Sequence, residues 1–247
     1  MKYSNDKRVS FDPETHSYFL GKKRLTSVTT LLKKFKNEFD SEYWSKVIAK
    51  REKVTKEEIL ERWKEKAFKS TEIGTAIHKI FEDFTENKYS ILNDQLVFDY
   101  NELKPEYLID FNLKKEMALK LLKDKFITNR IIPIYTEFIV YNENLAGQVD
   151  MIATDSKGNY YILDFKTNEK IDFEAYQNKK MLGALSQIED CSYYHYCLQL
   201  SIYKELLKNI DIRKMFIIHI TTEDYFFIEC ENILEKVKLE DLIKYQL

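Results

Sequence analysis

Between residues 42 and 125, apolar and aromatic side chains recur every three to four positions within a background of Lys and Glu. Patches around Trp44, 59–68, 73–84 and 113–125 carry this period, which predicts a mostly helical region. The polar and aromatic stretch 87–105 breaks the pattern and reads as a loop or irregular connection. After Pro133 the period shortens. Segments 134–141, 147–153 and 159–165 are short runs rich in β-branched and aromatic residues, separated by polar turns at 142–146 and 155–158. They predict a three-stranded antiparallel meander. A helical pattern over 191–208, a hairpin over 215–228 and a helix after Asn232 complete the chain. At the start, 17–20 and 24–27 flank Gly21 as a small hairpin, followed by a helix for which Thr29 or Thr30 is the expected cap. The expected fold class is α/β, a mixed β-sheet core flanked by helices with an N-terminal helical subdomain.

Composition adds bounds rather than chemistry. The chain has 247 residues, 44% of them hydrophobic, enough to bury one sizeable core, so a single domain over 1–247 is expected, helical at about 42–130 and with its sheet core at about 131–230. The 39 basic and 41 acidic residues leave a net charge of −2, so any nucleic-acid surface has to be local. Cys191, Cys197 and Cys230 are odd in number and form no Cys-x-x-Cys pair, which points to reduced thiols rather than a disulfide framework or a zinc site. The opening residues lack an apolar signal region, and no apolar run approaches the roughly 18 residues of a membrane span. The expectation is a soluble, cytoplasmic protein, of a bacterial cell or phage-infected host, without membrane partners.

The chemistry lies in the meander. Residues two apart on a strand share a face, so Asp164 and Lys166 stand side by side while Leu163 and Phe165 face a core. Folding back through the 155–158 turn sets Asp150 nearly opposite Asp164, and the turn around Glu143 and Asn144 sets Glu137 opposite Asp150. Three carboxylates gathered on one face destabilise a sheet unless a cation compensates them, and carboxylate oxygens suit Mg²⁺ or Mn²⁺. Taken singly each residue has a bland reading: an exposed strand face for Asp164 and Lys166, a strand end for Asp150, a surface carboxylate for Glu137. Asp155 and Lys157 repeat the Asp-x-Lys spacing within a turn. Only the joint register favours a site.

These residues resemble the PD-(D/E)XK nuclease superfamily, and within it the RecB-like exonucleases of phage and mitochondrial-genome-maintenance type. Gly147-Gln148-Val149-Asp150 is similar to the branch's Gly-x-x-Asp motif, with Val149 where the superfamily's name has proline. Asp164-Phe165-Lys166 is similar to the second acid and lysine, and Glu137 falls where a strand glutamate is expected. Gly74 to His78 resembles the helical histidine motif, and Gln199 to Tyr203 the Gln-x-x-x-Tyr motif. Ser27 to Thr30, after a hairpin containing His16 and Tyr18, resembles the start of such exonucleases.

The resemblance implies a restriction-endonuclease-like core and a metal-dependent DNA exonuclease acting on single-stranded DNA or DNA ends in replication, recombination or repair, leaving 5′-phosphate and 3′-hydroxyl products. It implies catalytic roles for Glu137, Asp150, Asp164 and Lys166. His78, Asp150, Asp164 and the Phe165 backbone carbonyl become candidate ligands for Mg²⁺ or Mn²⁺, with Glu137 a further one, and Lys166 orients the attacking water. Gln199 and Tyr203, one helical turn apart, contact a phosphate or hold Lys166. His195 extends their face by another turn, as a structural residue or a peripheral DNA contact. His78 also suits the edge of an apolar helix face with Ile77, Ile80 and Phe81, and Tyr203 suits core packing. Three cysteines fall short of the four that hold an iron–sulfur cluster in some relatives, so no cluster is expected. By analogy the helical region forms a cover over the site, on which Lys46, Lys50, Arg51 and Lys53 track a DNA backbone or simply form a solvated face. A structure-specific endonuclease on the same core and a catalytically silent DNA-binding module remain the alternatives. Replication or recombination proteins are conceivable partners that no residue requires, and the sequence leaves the oligomeric state open.

Overall fold

The structure, a computed structural model, describes residues 8–15, 17–92, 95–98, 103–128 and 130–244. His16 lies outside the described residues. The chain opens with strands β1 (Val9–Asp12), β2 (Ser17–Leu20) and β3 (Lys23–Ser27) and helix α1 (Val28–Lys33). Helices α2 (Ser41–Glu52) and α3 (Lys56–Thr85) follow, then a short hairpin of β4 (Ser90–Leu92) and β5 (Gln95–Val97), and α4 (Leu108–Leu121), which continues into a π turn at Leu122–Phe126. The meander is β6 (Ile132–Tyr141), β7 (Leu145–Thr154) and β8 (Tyr160–Lys166). Helix α5 (Ser192–Leu206), strands β9 (Ile212–Ile220) and β10 (Tyr225–Glu229) and helix α6 (Leu239–Lys244) end it.

Three local expectations need correction. The cap of α1 is Ser27, whose hydroxyl accepts from Thr30 N at 3.0 Å, while Thr29 and Thr30 lie inside the first turn. An N-cap must keep extended backbone angles, and the strand that ends at Ser27 supplies them. The patches at 59–68 and 73–84 form one helix of 30 residues running through Gly74. Part of 87–105 is the β4–β5 hairpin rather than an irregular loop.

The principal sheet has eight strands in the order β1-β2-β3-β7-β8-β9-β10, with β6 paired along the other edge of β7. Pairing is antiparallel except for β3 with β7 and β8 with β9, so the sheet is mixed. Alternation along the strands feeds two cores. On one side Ile162, Val149 and Ile217 pack with Val28 and Leu31 of α1 and Leu198 and Ile202 of α5. On the other, Leu163, Phe165 and Ile218 pack with Ile77 and Phe81 of α3 and Phe111 and Leu121 of α4. Phe81 stacks on Phe165 with ring centroids 4.0 Å apart and planes at 9°, a contact that adds roughly 0.5–1.5 kcal/mol to the burial of the two rings. It also pins α3 to the strand that carries Asp164 and Lys166. Among the described residues no helix is long and apolar enough to cross a membrane.

Candidate metal and catalytic centre

Strands β7 and β8 pair from Thr154↔Tyr160 to Met151↔Leu163 and then part. Where the next backbone pair would form, the Asp150 carboxylate accepts from Phe165 N at 2.8 Å. Beyond this point the same edge of β7 is taken by β3, at Thr26↔Leu145 and Ser27↔Ala146. The opening between β8 and β3 is therefore built into the sheet, and the polar residues gather there.

Glu137 reaches the opening from β6, between the pairs Thr136↔Met151 and Phe138↔Val149. Its φ is +50°, a left-handed conformation that costs a side-chain-bearing residue about 1–3 kcal/mol. Gln148 Nε2 donates to the Glu137 carbonyl at 3.2 Å and so supports the displaced backbone. Tyr18 of β2 is buried nearby; burial and the Glu137 charge push its hydroxyl up to about 12.

Helix α3 supplies His78 from the opposite face. A Cβ added to Gly74 would stand 3.3 Å from Thr167 Oγ1, so the missing side chain lets the helix lie close against the end of β8. From there His78 Nε2 sits 2.8 Å from the Phe165 carbonyl oxygen, and Nδ1 is 3.5 Å from Asp150 Oδ2. Lys114 of α4 donates to the Thr167 carbonyl at 2.6 Å and fixes the same strand end; burial lowers its pKa.

Helix α5 closes the other side. Tyr203 is buried against Gly147, and Gln199 Nε2 donates to its hydroxyl at 2.9 Å. The ring of Tyr196 lies 5.0 Å from Lys166 Nζ, within cation–π range. Lys166 forms an ion pair with Asp164, which is almost fully buried. Burial raises the Asp164 carboxyl to about 6, with the Asp150 charge adding to the rise and Lys166 opposing it. Burial by itself would lower the Lys166 ammonium, but Asp164 and Asp150 outweigh it and hold the lysine above its ordinary value.

The geometry separates the expected residues into two groups. His78, Glu137 and Asp150 each offer one ligand atom within 4.8 Å of the others. Asp164 is engaged with Lys166 and does not belong to that group, although it interacts electrostatically with both Asp150 and His78. The Phe165 carbonyl adjoins the first group through His78. This donor set of two carboxylates, one imidazole and a carbonyl fits a divalent cation, its oxygens suiting Mg²⁺ or Mn²⁺. Gln199 and Tyr203 hold each other, and Tyr203 is packed against the strand.

Four neighbours escaped the sequence reading: Gln148, Tyr196, Lys114 and Tyr18. Tyr196 had a signal, being three residues before Gln199 and seven before Tyr203 on one helical face. Gln148 lay within the quoted motif without an assigned role. Tyr18 stands in the opening hairpin of the resemblance without an assigned role, and Lys114 comes from a distant segment where nothing local marks it. The three cysteines are buried free thiols.

A comparison with curated proteins found no match. Among solved structures, the chain is similar to a protein from Eubacterium rectale provisionally described as an exonuclease, at 16% identity and a TM-score of 0.40, covering 72% of this chain and 67% of that one. It is also similar to the protein SSO0001, at 16% identity and a TM-score of 0.28, covering 58% of this chain and 62% of that one. A family described as "PDDEXK-like domain of unknown function (DUF3799)" matches residues 29–244, a span that takes in the splayed β7–β8 strands and both helices that close over them. The chain belongs to this PDDEXK-like family.

Proposed function

We propose that the protein is a divalent-metal-dependent deoxyribonuclease that hydrolyses phosphodiester bonds from DNA ends or single strands, with the whole chain serving as one nuclease domain. The observation that carries this reading is the convergence of His78, Glu137 and Asp150 at the point where β7 and β8 part, beside the Lys166–Asp164 pair.

Each residue has a role that its position supports. His78, Asp150 and Glu137, with the Phe165 carbonyl, would hold Mg²⁺ or Mn²⁺. When bound, such a cation supplies positive charge that stabilises negative charge developing on the phosphodiester and eases loss of a proton from the attacking water. Lys166, kept protonated by Asp164 and Asp150, orients that water and balances charge on the phosphate. Asp164 fixes the lysine and adds negative charge next to the ligand group, and it is a further candidate ligand once Lys166 turns towards substrate. Gln199 and Tyr203 keep α5 seated on the strand so that Lys166 faces the opening. A setting in replication, recombination or repair follows from the family resemblance alone.

The test is digestion of an end-labelled linear single strand and a closed circular single strand with Mg²⁺, Mn²⁺ or EDTA, comparing wild type with Lys166→Ala and Asp150→Asn. Metal-dependent loss of the linear strand, absent in both folded variants, is expected. Cutting of the circle moves the reading to an endonuclease. DNA binding without cleavage under any metal leaves a silent binding module.

A further inference from the structure

Beside the candidate centre, a cavity of about 730 Å³ opens between the segment that leaves β8 and the first turn of α5. Two aromatic rings stand in its wall and face solvent: Phe173, 53% exposed, and Tyr176, 62% exposed. A single exposed ring is ordinary on a protein surface, but two in the wall of one cavity give it a local apolar face. Each is braced from behind. Phe173 packs on Tyr193 with centroids 5.0 Å apart, and Tyr176 meets the edge of Trp44 at 6.1 Å, which in turn contacts Tyr43. The rings are thus held in place while their outer faces stay open.

The cavity is linked to the centre by two elements, the chain that runs on from Lys166 to Lys170 and helix α5. Its floor includes His195, four residues before Gln199 on one helical face, which places it about 6 Å up the helix axis. The next residue, Tyr196, lies under Lys166. The charges facing the cavity sort themselves locally. Asp172 pairs with Lys170 at 2.7 Å, and Asp190 is held by Asn37 and by His195 at 2.5 Å, leaving Glu174 at the rim. Lys36, also in the wall, has no ion-pair partner among the described residues.

We propose that this cavity is a nucleotide subsite that takes an unpaired base of the DNA strand being cut, the base stacking on Phe173 or Tyr176 and the adjoining backbone passing Lys36. A flat apolar face is what the two rings offer, and every base has one. A base inside a duplex is covered on both faces by its neighbours, so the subsite admits a single strand or a frayed end and not an intact helix. The inference rests on the deoxyribonuclease reading and specifies its substrate as a strand with unstacked bases.

The experiment measures fluorescence anisotropy of a labelled 12-nucleotide oligothymidine and of a blunt hairpin duplex, in EDTA so that nothing is cut. Wild type is compared with Phe173→Ala, Tyr176→Ala and the double variant, whose folding is checked by circular dichroism. Loss of a stacking ring is expected to weaken single-strand binding about 5- to 100-fold and to leave the duplex unaffected. A single abasic position moved along the oligonucleotide is expected to reproduce that loss in wild type and to add nothing in the double variant. If wild type cuts and binds DNA but the variants bind the oligothymidine unchanged, or if abasic and ring losses add in full, the subsite is overturned alone. If wild type neither binds nor cuts any DNA, the underlying reading goes with it.

Discussion

The ring of Tyr203 lies over Gly147 so closely that a Cβ on the glycine would stand 2.4 Å from Cε1, with the hydroxyl 3.2 Å away. Two motifs more than fifty residues apart in sequence are therefore one contact: the glycine of Gly-x-x-Asp makes room for the tyrosine of Gln-x-x-x-Tyr. Tyr203 is almost fully buried, which leaves its ring little room to yield. Gly147→Ala is expected to cost about 1–3 kcal/mol through overpacking, read as a fall in the urea midpoint. In a Tyr203→Ala background the same change is expected to cost little, and full additivity of the two would show that they are not in contact.

Asp164 is buried and Lys166 partly so, and removing Asp164 leaves the lysine with only the more distant Asp150 to compensate it. Asp164→Asn is expected to destabilise the metal-free protein by roughly 3–5 kcal/mol, and Lys166→Met by less because Asp164 can take up a proton. Equal melting temperatures for wild type and Asp164→Asn would remove the pair from any structural role.

Gly74 trades helix propensity for proximity. Gly74→Ala gains about 1 kcal/mol of helix propensity against a 3.3 Å contact with Thr167 and is expected to be close to neutral in stability. Gly74→Val needs more room and is expected to lift α3 away from β8, carrying His78 off the Phe165 carbonyl. Calorimetric titration with Mn²⁺ should then show affinity reduced at least about tenfold, as for a lost ligand-orienting contact. Unaltered Mn²⁺ affinity in Gly74→Val would mean that His78 is not placed by this approach.

The turn between β7 and β8 depends on Asp155, which accepts from Asn159 Nδ2, the Lys157 and Asn159 backbone N–H groups and the Tyr161 hydroxyl. The Asn159 side chain is the main cause of its lowered pKa, and the other donors act in the same direction. Because the folded value lies below the unfolded one, the contribution is complete above the ordinary carboxylate range and fades as pH falls below it. The gap in urea midpoint between wild type and Asp155→Ala is therefore expected to be constant from pH 7 to pH 5 and to narrow in stronger acid. A gap that widens on acidification contradicts the assignment.

Much of this was readable because local rules are strong where period and turn chemistry agree. The 142–146 and 155–158 turns carry Asn142 and Asp155, whose side chains bind the backbone that follows, and so the meander register could be counted from them. Counting placed Asp150 against Asp164 and Glu137 against Asp150. It could not show that Asp150 would spend an oxygen on Phe165 N, or that Asp164 would turn to Lys166 rather than join the other acids, since both follow from β8 leaving β7 at Met151. The helix cap lies two or three residues before the expected Thr29 or Thr30 for a related reason: Ser27 is at once the last residue of β3 and the cap of α1.

The sequence by itself determined the alternation that makes β6, β7 and β8, the face shared by Asp164 and Lys166, and the helical spacing that aligns Tyr196, Gln199 and Tyr203. Each depends on neighbours within a few residues, where backbone geometry leaves little choice. Tertiary structure alone decided that β3 and β9 join the sheet in parallel, that Gly74 brings His78 to the strand end, that Lys114 holds Thr167, and that the segment after β8 sets two rings in a cavity against the start of α5. Those contacts join residues dozens of positions apart, and the burial of two cores on opposite faces of one sheet fixes which distant segments meet.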